Sequence, residues 1–157
     1  MDRRDPTIAR APEPPHLPKH VKQSDTLGAP LEDDAEFAGL LVVNGDLGES
    51  EAHRATLSQM QFQHCRWQQA KVTAGTMRDV RFTVCDLSQG EWDETFIWRG
   101  EFVESRLLGW RAAKAHLRDV RFVECNANYA MLPAAKCETV RFERCFLQHA
   151  SFVDAAL

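Results

Sequence analysis

Apolar residues recur at every fifth position of this chain without a break, from Phe37, Val42, Leu47 and Ala52 through to Phe152 and Leu157. The row has 25 members, and none is polar. Hydrophobic residues make up 44% of the chain. At that background the odds of such a row arising by chance are on the order of one in a billion. A second row lies two residues before each member of the first, from Ala35, Leu40 and Gly45 to Ala155. Nineteen of its 25 members are Ala, Gly, Ser, Cys or Thr. Neither row holds a charged residue, so every charge after residue 35 falls on the other three positions of the period.

A period of five suits neither common element. Five residues of α-helix turn through about 500°, which walks the row around the cylinder. Five residues of strand place the side chain on the opposite face. The period works only if the chain bends once in every five residues. Taking each apolar row member as the centre i, residues i−2 and i then point inward, i−1 points outward, and i+1 and i+2 form the corner. A second period of 20 counts the sides. Phe62, Phe82, Phe102, Phe122 and Phe142 recur at that spacing, as do Cys65, Cys85, Ser105, Cys125 and Cys145. Twenty over five gives four sides, hence a square coil.

Outward charges support the same stacking. The columns Asp46, Arg66, Asp86, Arg106, then Glu51, Lys71, Glu91, Arg111, then Arg81, Glu101, Arg121 alternate in sign at 20-residue steps. Coils about 4.8 Å apart would repel if like charges stacked, and alternation reverses this. Exposed pairs contribute only about 0.2–1 kcal/mol each, so they set register more than stability. Trp110 stands at a small-residue position, but its centre is Ala112, and one coil below lie Gly90 and Trp92. Large beside small lets the two indoles interdigitate. The other reading turns Trp110 outward.

Residues 1–34 differ in kind. They hold six of the seven prolines, at positions 6, 12, 14, 15, 18 and 30, and the run APEPPHLP favours extended polyproline-like chain. The expectation is a flexible Pro-rich tail over 1–27 and an acidic lead-in of Glu32, Asp33 and Asp34, followed by one domain over 35–157. Pro18 between His16 and His20 argues against a helical metal pair there.

Units such as CDLSQ at 85–89, AHLRD at 115–119 and ASFVD at 150–154 resemble the alternating small, polar, large-apolar repeat of the pentapeptide-repeat family. The resemblance covers residues 35–157. It implies an all-β fold, a right-handed quadrilateral β-helix solenoid of about six 20-residue coils with a disordered tail, about 29 Å tall at the strand spacing. The departures are Trp110 and the undersized centres Ala52, Ala112, Ala127 and Cys137.

No phosphate loop, nucleophile elbow, paired zinc cysteines or calcium loop is found. Four cysteines stack in one inward column, which does not converge on a metal. Reduced core cysteine is the reading, ahead of disulfide and metal. His53, His64, His116 and His149 share no column. The chain is therefore expected to be no enzyme, with no cofactor and no metal. Its net charge of −4 argues against direct nucleic-acid binding, and the absence of a long apolar run argues against a membrane segment and for the cytoplasm.

The expected function is a protein-interaction or scaffold module of bacterial type, binding an unidentified protein through its outer faces. The alternative, implied by the resemblance, is a DNA gyrase-binding protein acting by DNA mimicry. That requires a continuous acidic face, whereas residues 36–157 hold 16 acidic and 14 basic groups. Candidate partner-binding residues are the outward Phe96 and Trp98, with Val103 and Val123 as a column around the next corner. The apolar register running through Phe142, Leu147, Phe152 and Leu157 suggests an end-to-end homodimer through the C-terminal coil, or else a natural cap that has been removed or lies beyond this sequence.

Overall fold

The computed structural model describes residues 10–157 and holds no helix among them. Its strands are β1 (Lys22–Ser24), β2 (Glu36–Ala38), β3 (Leu40–Val43), β4 (Glu51–His53), β5 (Thr56–Gln63), β6 (Lys71–Thr73), β7 (Thr76–Thr83), β8 (Phe96–Val103), β9 (His116–Val123) and β10 (Lys136–Glu143). All pair in parallel, in the order β1-β3-β5-β7-β8-β9-β10, with β2 also on β5 and β4 on β6. The register steps by 20 residues, as in Phe62 beside Phe82 and Phe102 beside Phe122. The chain is thus a four-sided β-helix of about six coils, taken here as residues 36–55, 56–75, 76–95, 96–115, 116–135 and 136–155. Side 1 is centred on Leu57 and its equivalents, side 2 on Phe62, side 3 on Trp67 and side 4 on Val72. Long strands span sides 1 and 2, while sides 3 and 4 are joined mainly by single bridges such as Asp46–Arg66 and Glu91–Arg111.

The two inward rows form the core. Phe62, Phe82, Phe102 and Phe122 are at most 1% exposed. With Phe142 they stack as one column, with ring centroids 4.5–5.0 Å apart. Trp67, Trp92 and Trp110 pack beside it, and Trp92 meets Trp110 edge-on at 5.6 Å. Trp110 points inward, 1% exposed. A Cβ on Gly90 would lie 3.2 Å from its ring, so the small residue below is what admits the large one above. The hydroxyl and thiol groups of the small row are satisfied locally: Cys65, Cys85, Cys125 and Cys145 each donate to the side 2 carbonyl of the coil before, at 3.2–3.4 Å. All five cysteines are free, and burial pushes the Cys125 thiol up to about 12.

Each i+2 residue has positive φ, glycine or not. The left-handed turn aims its N–H along the stack, where it meets the next coil: Val84 N–H donates to the Val103 carbonyl at 2.9 Å. Left-handed backbone costs about 1–2 kcal/mol in a residue with a Cβ, more in a branched one and less in Asn. Val84 carries this strain at φ 51° while 40% exposed. Val84→Asn is expected to stabilise the chain by about 1 kcal/mol, read as a higher urea midpoint at unchanged slope.

The N-terminal segment differs from expectation. Residues 1–9 lie outside the described residues. Residues 10–34, expected as a flexible tail and lead-in, lie against the solenoid. Residues 10–20 cross coils 5 to 2 as a strap, β1 pairs with β3, and Leu27 and Leu31 close the first coil, each 7% exposed. The physical reason is that proline restrains the strap's dihedrals before it docks, so little entropy opposes docking.

Candidate functional site

The strap sits on the corner between sides 1 and 2, whose column reads Gln59, Asp79, Arg99, Asp119, Thr139. The three charged members are 4%, 5% and 2% exposed. Positive φ at all five sets their side chains in a row. Arg99 grips Asp79 with two bonds, Nε at 2.6 Å and a terminal nitrogen at 3.0 Å. Asp79 also accepts the His16 backbone N–H at 2.9 Å, and Asp119 accepts that of Glu13 at 3.1 Å. Arg10 lies 3.5 Å from Asp119, and Gln59 donates to the His16 carbonyl at 3.2 Å. Burial would raise the Asp79 carboxyl, but the Arg99 guanidinium and the His16 N–H outweigh it and hold the group below its ordinary 3.8.

Sequence reasoning missed this cluster. Its signal is the same sign alternation, Asp-Arg-Asp at 20-residue steps, on a corner column rather than on an outward i−1 column.

Phe96 and Trp98 lie together on side 1 of coil 4, both half-buried. Phe96 meets the His116 ring edge-on at 5.0 Å. The Trp98 ring carries the guanidinium groups of Arg99 at 4.0 Å, Arg78 at 4.6 Å and Arg118 at 5.6 Å. Val103 and Val123 pair across neighbouring coils as expected. Val123, however, is 9% exposed and is corrected from a surface residue to a covered one. It lies between Val103 and Glu143 in the column, and these neighbours take its surface. Sequence reading also passed over exposed apolar residues on sides 3 and 4 of the last coils: Tyr129, stacked on His149, with Met131, Phe146 and Val153.

The charge columns stack in the expected order, but some ion pairs run diagonally. Arg81 meets Glu101 at 3.2 Å, whereas Arg121 turns to Glu143 at 2.6 Å and Arg111 to Asp93 at 3.2 Å. At the last described coil, Phe142, Leu147, Phe152 and Leu157 line a cavity of about 500 Å³ together with Cys137, Val140 and Arg10. Leu157 is 86% exposed. Among the described residues no three His, Cys, Asp or Glu side chains converge as a metal site, and no helix is long and apolar enough to cross a membrane.

No family model and no curated protein matches the chain. Among solved structures it is similar to a trypsin-treated variant of QnrB1, a plasmid-mediated fluoroquinolone resistance protein. There the identity is 13%, over 78% of this chain and 72% of that one, with a TM-score of 0.44. It is also similar to HetL from the cyanobacterium Nostoc sp. strain PCC 7120, a pentapeptide-repeat protein involved in heterocyst differentiation regulation, at 11% identity over 83% and 90% with a TM-score of 0.27. A third is Rfr23 from the cyanobacterium Cyanothece 51142, another pentapeptide-repeat protein, at 12% identity over 79% and 88% with a TM-score of 0.23. The chain's own coils define the fold: a bend every five residues, four sides, and parallel register at 20 residues throughout. With that architecture, the chain resembles the pentapeptide-repeat family in structure as it does in sequence.

Proposed function

We propose that this chain is a non-enzymatic protein-interaction module that engages a protein partner through side 1. The observation that carries this is Trp98, an outward indole on a rigid strand with three arginine side chains around it. Tryptophan and arginine dominate interface hot spots because each combines large area with a polar or charged edge. A strand of a stacked solenoid holds them at fixed spacing, so little side-chain order is lost on binding. Trp98→Asp is expected to abolish partner capture from the native host while leaving the melting temperature unchanged, because the new carboxylate faces Arg78 and Arg118. Unchanged capture would dismiss side 1 as the contact surface.

We also propose that two copies associate through the last coil. The support is the half-exposed ring of Phe142, Leu147 and Phe152 around the cavity at the last described coil. Light scattering at micromolar concentration is expected to show a dimer that Phe152→Glu converts to monomer. A monomer in both cases would reject it.

A further inference from the structure

The strap's hydrogen bonds to the two corner aspartates come from its backbone, and its repeat matches that of the solenoid. Of residues 11–18, Pro12, Pro14, Pro15 and Pro18 have fixed φ, and Ala11, Glu13 and Leu17 precede a proline, which restricts them to extended conformations. Such a segment adopts polyproline II, with three residues per turn and about 3.1 Å per residue, hence about 9.3 Å per turn. Two coils of the solenoid span about 9.6 Å at the ordinary strand spacing. Glu13 and His16 are one such turn apart, and Asp119 and Asp79, which accept their N–H groups, are two coils apart. Arg99 fills the coil between and fixes the Asp79 carboxylate. The corner therefore reads an extended chain with free N–H groups at i and i+3, one fit for a polyproline helix and not for an α-helix or a strand.

Little else holds the segment. Pro15 is buried, but the side chains of Arg10 and His16 are 58% exposed and that of Glu13 is 38% exposed. A few contacts on an exposed element place it at the low-stability end of the molecule.

We infer that the corner between sides 1 and 2 over coils 3 to 5 is a binding groove for proline-rich extended segments. In this chain residues 10–18 fill it, and an equivalent segment of a partner protein takes their place when they detach. The inference rests on the reading of the chain as an interaction module and names a partner chemistry for it. The occupant is specified by prolines around two N–H groups three residues apart, with a cation before the first to match Arg10 beside Asp119.

The test uses the full chain carrying Pro14→Gly and Pro15→Gly, which loosen the strap and leave the groove untouched, with folding checked by its strand circular dichroism. The probe is a fluorescent synthetic peptide of residues 10–20. It is expected to bind this variant saturably, and the wild type at least tenfold more weakly, because the wild-type groove is filled. A second peptide with Glu13→Pro and His16→Pro keeps the conformation but lacks both N–H donors. Each lost bond to a carboxylate is expected to weaken binding about tenfold or more. Equal binding of the two peptides, equal binding by wild type and variant, or no binding to the folded variant would overturn the groove. Should the variant not fold, the wild-type chain serves: millimolar parent peptide is expected to speed hydrogen exchange at Glu13 and His16, and unaltered exchange would overturn it. Full-chain dimers that dissolve on adding the peptide would overturn the assignment to a separate partner in favour of a second copy. Loss of peptide binding with Trp98-dependent capture intact removes the groove alone, and loss of that capture alone removes the side 1 reading.

Discussion

Asp79→Ala is expected to lower the unfolding free energy by about 3–5 kcal/mol, because it strands Arg99 as an unpaired buried charge and removes one acceptor of the strap. Arg99 is 5% exposed and donates two bonds to that one carboxylate. Changing both partners together, as Asp79→Leu with Arg99→Met, is expected to cost far less, since no charge then lies buried without a counter-ion. The effect depends on pH in a definite direction. The folded carboxyl titrates below its ordinary 3.8, so its contribution is complete above that value and is lost as pH falls through the lower folded one. Wild type and Asp79→Ala should therefore differ fully at pH 7, and the gap should narrow progressively as pH falls below about 4. Urea titrations at several pH values measure both, and a gap that stays constant down to the acid limit of folding would show that the pair contributes through packing instead.

Trp92→Ala is expected to be as costly, at about 3–5 kcal/mol, and to show no such pH dependence. Trp92 is 0% exposed and touches the rings of Trp67, Phe82, Phe102 and Trp110. Removing it opens a cavity at the meeting point of the phenylalanine column and the indoles, which stacked coils cannot close without breaking their ladders. The melting temperature should fall by about 10 °C or more. A loss under 1 kcal/mol would mean that the coils slide to fill the space, and the inward row would then be less tightly packed than the ring distances indicate.

What was legible in the sequence is what repeats. Phe62 to Phe142 and Cys65 to Cys145 each stand at one position of a 20-residue coil, so their spacing alone implies a stack and their size implies its interior. Trp110 was legible through Gly90, because volume must balance between neighbouring coils. The surface pairs were only half legible. Column order follows from register, but Arg111 reaches Asp93 and Arg121 reaches Glu143 because long side chains choose among several carboxylates within reach.

The strap was not legible, for two reasons. Its prolines erase the periodicity that marks ordered chain, and it contributes N–H groups, which every residue except proline has, so its own side chains carry no signature of docking. The complementary signal lay in Asp79, Arg99 and Asp119. Charges in alternation at corner positions mark either solvent or a covering segment, and only the structure distinguishes the two.

Hydrogen exchange of the full wild-type chain tests most directly whether that corner holds the N-terminal segment. Residues 11–18 have four backbone N–H groups, on Ala11, Glu13, His16 and Leu17. Glu13 and His16 donate to Asp119 and Asp79. Near pH 7 these two amides are expected to exchange at least 100-fold more slowly than in a peptide of the same sequence, with Ala11 and Leu17 close to the peptide rate. Peptide-like exchange at all four would contradict the account and return residues 10–18 to a free tail.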